Sequence, residues 1–246
     1  MTTTEKGKRE STPLSKGEFI ERLKGIHAKY TVMNTKFMKE FVSGETPIEG
    51  LKGFAVSHWY LCDRGAYGEI EEVWTFRNQP EKLLHSTAEN VVGEIGYLPD
   101  GLAPHPALAK GLCYGLGMTD EEIEETEVVP EMLLFTENGQ RHRGVDEYSQ
   151  GTMRGAYGII EMDSAVSCTA IGKALMEKYG LDETTAKYFI AHGYRDIDHS
   201  NTNLEITADK ARTREEQDAA LKIAEAAMKS RHRLYSAYRT YYAEAG

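Results

Sequence analysis

Residues 192–199, HGYRDIDH, place two histidines and two aspartates within eight positions. On an α-helix, His192, Asp196 and His199 fall within about 60° of one face, whereas Asp198 points the other way. Imidazole and carboxylate groups that project together along two helical turns suit iron, manganese or zinc. A polar helix face with His–Asp hydrogen bonds is the alternative interpretation of the same spacing.

Three further candidate ligands lie upstream in the chain. Glu161, in AYGIIEMDSAVSCTAIG, shares a helical face with small and apolar residues, so its carboxylate is expected to point into the domain. An unpaired buried carboxylate is costly and normally protonates or finds a cation. Glu94, in TAENVVGEIG, shares the face of Val91, and His105 opens a helix in APHPALAKGL. Singly, Glu94 could be a surface residue and His105 a helix N-cap, but the whole set is typical of a dimetal carboxylate site in a helix bundle.

The ordered set resembles a known family, the haem-oxygenase-like diiron oxidases, which share their all-α fold with the TenA thiaminases. The resemblance runs from about Leu51 to Asn203 and rests on ENVVGEIG, HPALAKGLCYGLG, IEMDSAVSCTAIGKALMEKYG and YFIAHGYRDIDH. The family pattern is a Glu, a His, a second Glu and then His-x3-Asp-x2-His. It implies two iron ions, or an iron–manganese pair, and O2 as co-substrate. The metal ligands it implies are Glu94, His105, Glu161, His192, Asp196 and His199.

Members of this family also differ in an extra ligand and in the reaction. Some recruit a further carboxylate from an earlier long helix, where Glu69 or Glu71 would serve, although a solvated helix edge is the alternative role for both. The family reactions include desaturation or C–C cleavage of amino acids or fatty acids, N-oxygenation of amines, and self-sacrificing p-aminobenzoate synthesis. The last is disfavoured, because Met38 and Ile171 stand where those synthases have a tyrosine and a lysine.

The substrate expectation depends on residues near Glu161. Arg154 lies two turns before it on the same face, and a guanidinium there could hold a substrate carboxylate in a bidentate fork, unless it pairs with an internal acid. Tyr157 and His58 are its candidate neighbours. We therefore expect an amino-acid substrate, with N-oxygenation of an amine as the alternative reaction. Small residues near Glu161 could instead open a channel for a fatty acid, or permit close helix packing.

Two other classes of protein remain open. A TenA-like thiaminase would need a nucleophilic cysteine with acid–base carboxylates and no metal. Cys168, near Glu161, would fit that role, but the histidine–aspartate–histidine trio would then be unexplained. A non-catalytic helical interaction module predicts that the six polar residues do not converge.

The composition limits the partners and the compartment. The 246 residues are 40% hydrophobic and 28% charged, as expected for a soluble globular domain. A net charge of −10 disfavours nucleic acid and anionic membranes as partners. Three separated cysteines, no apolar run near the roughly 20 residues of a membrane span, and no signal-peptide core together predict a cytoplasmic protein. The resemblance implies a homodimer, in which the tyrosine-rich last helix could lie at the interface or pack within its own chain.

The elements that must position these residues are helices, because apolar residues recur at helical spacing and no alternating segment competes. Helices are predicted from Phe19, from Ile48 to about Phe76, from Pro80, from Ala107 to Leu116, from Val145 to Tyr179, over 181–206 with Asp182 as its cap, and from about Thr213 to Ala245. A loop is expected over 96–106 and connecting structure over 130–144. The prediction is an all-α, haem-oxygenase-like bundle of about seven to nine helices over residues 16–246, after a disordered tail of residues 1–15.

Overall fold

The computed structural model describes residues 12–75, 88, 91–96, 101–141 and 147–243, without the side chains of 66–75, 138–141 and 147–154. Within these ranges there are nine bounded α-helices and no β-strand, which confirms the all-α prediction. The helices are α1 Lys16–Tyr30, α2 Lys36–Ser43, α3 Ile48–Thr75, α4 His105–Gly115, α5 Asp120–Glu125, α6 Pro130–Arg141, α7 Glu147–Glu177, α8 Lys187–Lys210 and α9 Arg214–Tyr238. Residues 91–95 are also helical, a 3₁₀ turn spans Val32–Asn34, and a π-helical turn spans Arg239–Ala243. In the part of the chain so described, none of the helices combines the length and the apolar character needed to cross a membrane.

Local sequence sets several helix ends. Capping boxes begin α1, α5 and α9, at Ser15, Thr119 and Thr213, where each hydroxyl accepts from the N–H of a glutamate three residues later. The predicted stops at Gly117 and Gly180 are confirmed, since both have the positive φ that glycine adopts without strain (78° and 69°).

Three helix predictions were wrong. Residues 130–141 form α6 instead of connecting structure, and α2 was not predicted. Both are short helices that the core stabilises through a few buried side chains, such as Met132 on α6 and Phe41 on α2. Helix α8 begins at Lys187, because Asp182 caps a separate turn by accepting from the Thr185 N–H at 2.7 Å. The helix predicted from Pro80 lies outside the described residues except at position 88 and at its end, 91–95.

Helices α7 and α8 approach each other closely at two glycines of α7. A Cβ atom at Gly158 of α7 would lie 3.2 Å from the backbone oxygen of Ser200 and the backbone nitrogen of Leu204, both on α8. A Cβ atom at Gly172 would lie 3.4 Å from the Ile190 side chain. These small residues therefore serve helix packing, one of the two roles considered for them.

Segments near both ends of the described chain pack against the same bundle. The Leu14 N–H donates to Gln217 Oε1 at 2.7 Å, and Gln217 Nε2 donates to the Leu14 carbonyl at 3.0 Å. Leu14, which falls within the tail predicted over 1–15, is therefore held by the bundle, whereas residues 1–11 lie outside the described residues. In α9, Tyr235 and Tyr238 are buried within their own chain, where both rings contact Phe37 and Phe54. These two tyrosines thus belong to the core of the chain.

Candidate functional site

One face of α8 carries the histidine–aspartate–histidine trio. His192 Nδ1 donates to the Tyr188 carbonyl at 2.8 Å, which makes Nε2 the unprotonated nitrogen of the neutral ring. Burial, followed by repulsion from His105, lowers the pKa of His192 well below its ordinary value. His192 is therefore neutral, the form in which imidazole binds metals. His199, one turn after Asp196, is partly buried.

The two upstream candidates meet each other and α8. Glu94 Oε1 lies 3.0 Å from His105 Nδ1, and the His105 ring lies 4.4 Å from the His192 ring between centroids. Glu94 Oε2 is buried and has no hydrogen-bond partner in the described part of the chain. Gly93 makes room for this contact, because a Cβ atom there would lie 3.2 Å from His105 Cε1 and Nε2. The structure thus brings Glu94, His105 and His192 together from three separate segments.

Asp196 is the buried carboxyl group of the trio, with 5% of its surface exposed. Burial raises the pKa of Asp196 to about 7, against the lowering effect of the Arg231 cation, and the Glu94 charge raises it further. A buried carboxyl group with such a pKa ionises fully when a cation binds nearby.

Glu161 meets α8 further along the helix. Asn203 Nδ2 donates to Glu161 Oε2 at 2.6 Å, and Asn203 is only 1% exposed. Across the residues whose side chains are described, however, no three His, Cys, Asp or Glu side chains converge closely enough to hold a metal ion. The six predicted ligands lie on facing segments but do not form one coordination sphere, and their ligand role stays a prediction.

The ring of Tyr188 packs against His192 and two further histidine rings, and the sequence did not predict this cluster. The Tyr188 ring stacks on His192 with centroids 3.9 Å apart and contacts the rings of His58 and His105 edge-on at 4.5 and 5.6 Å. Its position one turn before His192 on the same helix could have identified it. Burial lowers the pKa of His58 to about 3, with smaller contributions from Arg231 and His105, so His58 is neutral.

A buried ion pair joins α7 to α9, and it too was missed. Arg231 Nε donates to Asp163 Oδ2 at 2.9 Å, and Arg231 Nη2 donates to Ser164 Oγ at 3.0 Å. Asp163 Oδ1 also accepts from the Val32 N–H at 3.2 Å. Burial raises the pKa of Asp163, but the His27 imidazole, whose Nε2 lies 3.4 Å from Asp163 Oδ1, and the Arg231 charge outweigh it, so the pKa is lowered overall. Asp163 lies two positions after Glu161, so this pair anchors the helix that carries a candidate ligand.

The remaining candidates are placed less completely. Arg154 lies within α7, and Glu69 and Glu71 lie within α3, but their side chains are outside the described part. Tyr157 is partly buried on α7, one turn before Glu161. Cys168 is buried, and burial raises the pKa of its thiol far above the ordinary value, with a further contribution from Asp196.

Comparison with known proteins adds a family and a fold. A sequence model of the family described as iron-containing redox enzymes matches residues 72–232, more than half of the chain. No curated protein matches the sequence.

Three solved structures illustrate the fold. A domain of unknown function with a haem oxygenase-like fold from Shewanella denitrificans OS217 is 14% identical, with a TM-score of 0.72 over 92% of this chain and 93% of that one. A TenA homologue from Pseudomonas syringae pv. tomato DC3000 is 14% identical, with a TM-score of 0.72 over 98% of both chains. A CADD-like protein of unknown function from Nostoc punctiforme is 16% identical, with a TM-score of 0.69 over 92% of this chain and 99% of that one. At these identities the likeness shows the fold alone, and it confirms the predicted haem-oxygenase-like bundle.

Proposed function

Because the chain belongs to the family of iron-containing redox enzymes, we propose that it is an O2-dependent non-haem oxidase that uses two iron ions. An iron–manganese pair is the alternative metal content. The observation that carries the proposal is that His105 contacts both Glu94 and His192. In addition, the second carboxylate oxygen of Glu94 is buried and has no hydrogen-bond partner in the described part of the chain. A buried carboxylate oxygen of this kind is costly unless a cation accompanies it.

The donor types fit the proposed ions. Three carboxylates and three imidazoles suit iron, and the carboxylate charges nearly balance two divalent cations, which leaves room for O2 or an anionic substrate. The residues that would hold the ions are Glu94, His105, Glu161, His192, Asp196 and His199. Iron bound there would supply electrons to O2 and so provide the oxidant for the substrate.

The protein's own residues prepare this site in three ways. The Tyr188 carbonyl fixes the His192 tautomer through Nδ1, so that Nε2 carries the lone pair. Asp196, with its pKa of about 7, gives up its proton as a cation binds. The packed rings of Tyr188, His58 and Phe54 keep water from this side of the site.

The proposed substrate is a small amino acid, which the enzyme would desaturate or cleave at a C–C bond, with N-oxygenation as the alternative. Support comes from helical spacing, because Arg154 and Tyr157 are seven and four positions before Glu161 in the α7 sequence. His58, being neutral, would offer a hydrogen bond and no charge. A long-chain fatty acid is less well supported, because Gly158 and Gly172 are occupied by contacts with α8.

A thiaminase is also less well supported. Its nucleophilic cysteine would need an accessible thiol that ionises readily. Cys62, Cys113 and Cys168 are all buried, and burial raises the pKa of each.

Anaerobic titration of the metal-free protein with ferrous iron tests the proposal. We expect about two irons per chain, and a transient visible absorption on mixing with O2 that one member of an amino-acid panel accelerates. His192→Ala should lose at least one iron. His232→Ala is the matched control, because His232 Nδ1 also lies within hydrogen-bonding distance of a backbone carbonyl, that of Thr31 at 3.2 Å. No stoichiometric iron binding, with His192→Ala equal to wild type, would refute the oxidase.

A further inference from the structure

The polar row on α8 continues beyond the trio. Asn203 lies four residues after His199 and seven after Asp196, so it shares their helix face. Its side chain is almost completely buried, and Nδ2 donates to Glu161 Oε2 at 2.6 Å. This hydrogen bond links the side chains of α8 to the candidate ligand on α7.

The packing of α7 against α8 sets the distance between the Glu161 carboxylate and the Asn203 amide. Gly158 lies one turn before Glu161, and its missing side chain lets α7 approach the backbone of α8 at Ser200 and Leu204. Leu204 directly follows Asn203, so the hydrogen bond between Glu161 and Asn203 lies beside this close approach of the two helices. A wider helix spacing would place these short polar groups out of hydrogen-bonding range.

We propose that Asn203 is a positioning residue that orients the Glu161 carboxylate for metal binding. The inference rests on the proposed function, because the ligand role of Glu161 belongs to it. An N–H donor on one carboxylate oxygen restricts the rotation of the Glu161 side chain. Residues that hydrogen-bond to a metal ligand, whether the ligand is a histidine or a carboxylate, typically raise metal affinity by about 10- to 100-fold.

A purely structural role for Asn203 makes a different prediction. In that case loss of the amide would lower thermal stability without changing metal affinity, because the partly buried Glu161 carboxylate would lose one hydrogen bond. Metal affinity therefore separates the two roles.

The experiment compares Asn203→Leu with Asn201→Leu. Leucine has the branching and the number of side-chain heavy atoms of asparagine but no N–H donor, and Asn201 is exposed on the same helix. The metal-free proteins are titrated with Co2+, whose visible absorption reports binding without O2 chemistry. For Asn203→Leu, we expect the affinity of one of the two equivalents to fall about 10- to 100-fold. The other equivalent and the Asn201→Leu control should bind as in wild type.

A double mutant shows whether Asn203 changes Co2+ affinity through Glu161. In a Glu161→Gln background, Asn203→Leu should produce no further loss of Co2+ affinity, because Asn203 acts through the Glu161 carboxylate. If Asn203→Leu does not fold, Asn203→Ala, which also lacks a donor, must show the same loss. Unchanged affinity in the variant that folds, or an equal loss in the Glu161→Gln background, overturns the proposal. Wild-type protein that binds no Co2+ and no Fe2+ would instead refute the proposed function itself.

Discussion

Arg231→Met should destabilise the protein strongly, because it removes the cation that pairs with a fully buried carboxylate. Asp163 has 0% exposure, and after the change it would keep the Val32 N–H at 3.2 Å and His27 Nε2 at 3.4 Å. Breaking a buried ion pair from one side typically costs about 3–5 kcal/mol. For a chain of this length, this corresponds to a Tm lower by about 6–20 °C. Thermal and urea unfolding followed by circular dichroism measure both quantities.

The matched control is an arginine–aspartate pair on the same helix. Arg214 Nε lies 2.9 Å from Asp218 Oδ1, the distance found in the buried pair, but these side chains are 16% and 29% exposed. Arg214→Met should therefore cost at most about 1 kcal/mol. Adding Asp163→Leu to Arg231→Met should recover part of the loss, since no unpaired charge then stays buried. If Arg231→Met costs no more than Arg214→Met, the reasoning about the buried pair is refuted.

Three further outcomes are expected. Gly93→Ala should weaken Co2+ binding while the protein stays folded, because the added Cβ would lie 3.2 Å from two atoms of the His105 ring, and metal titration measures this. Gln217→Ala should cost about 1–3 kcal/mol and accelerate hydrogen exchange of the Leu14 amide, which loses its acceptor. All three cysteine thiols should resist iodoacetamide at pH 8 in the native protein and react in urea, because burial raises the pKa of each, and mass spectrometry counts the adducts.

Each of these three predictions can be contradicted by a specific result, and the Gly93 variant also has a control. Gly111→Ala, where an added Cβ meets nothing within 4 Å, should leave Co2+ binding unchanged. Equal Co2+ binding by the Gly93 variant would show that the His105 position does not matter for the metal. Exchange of the Leu14 amide at the wild-type rate in the Gln217 variant would show that this segment is held by other contacts. Rapid alkylation of a native thiol would return the thiaminase interpretation to consideration.

The predicted helices succeeded where a long apolar period or a cap defines them. Helix α7 and its stop at Gly180 are examples, because each signal is contained in neighbouring residues. Helices α2 and α6 were not predicted, because neither has a long apolar period. Their stability comes from a few side chains, such as Phe41 and Met132, that are buried against distant parts of the chain.

The candidate site divides in the same way. The sequence by itself determined the all-α class and the shared face of His192, Asp196 and His199, because both follow from helical periodicity within one segment. Only the tertiary structure decided the partners: Asn203 for Glu161, 42 positions away, and Arg231 for Asp163, 68 positions away. It also decided the contact of His105 with His192. Such pairs depend on how closely and in which register helices pack, and glycines such as Gly158 set that spacing through contacts that no local pattern encodes.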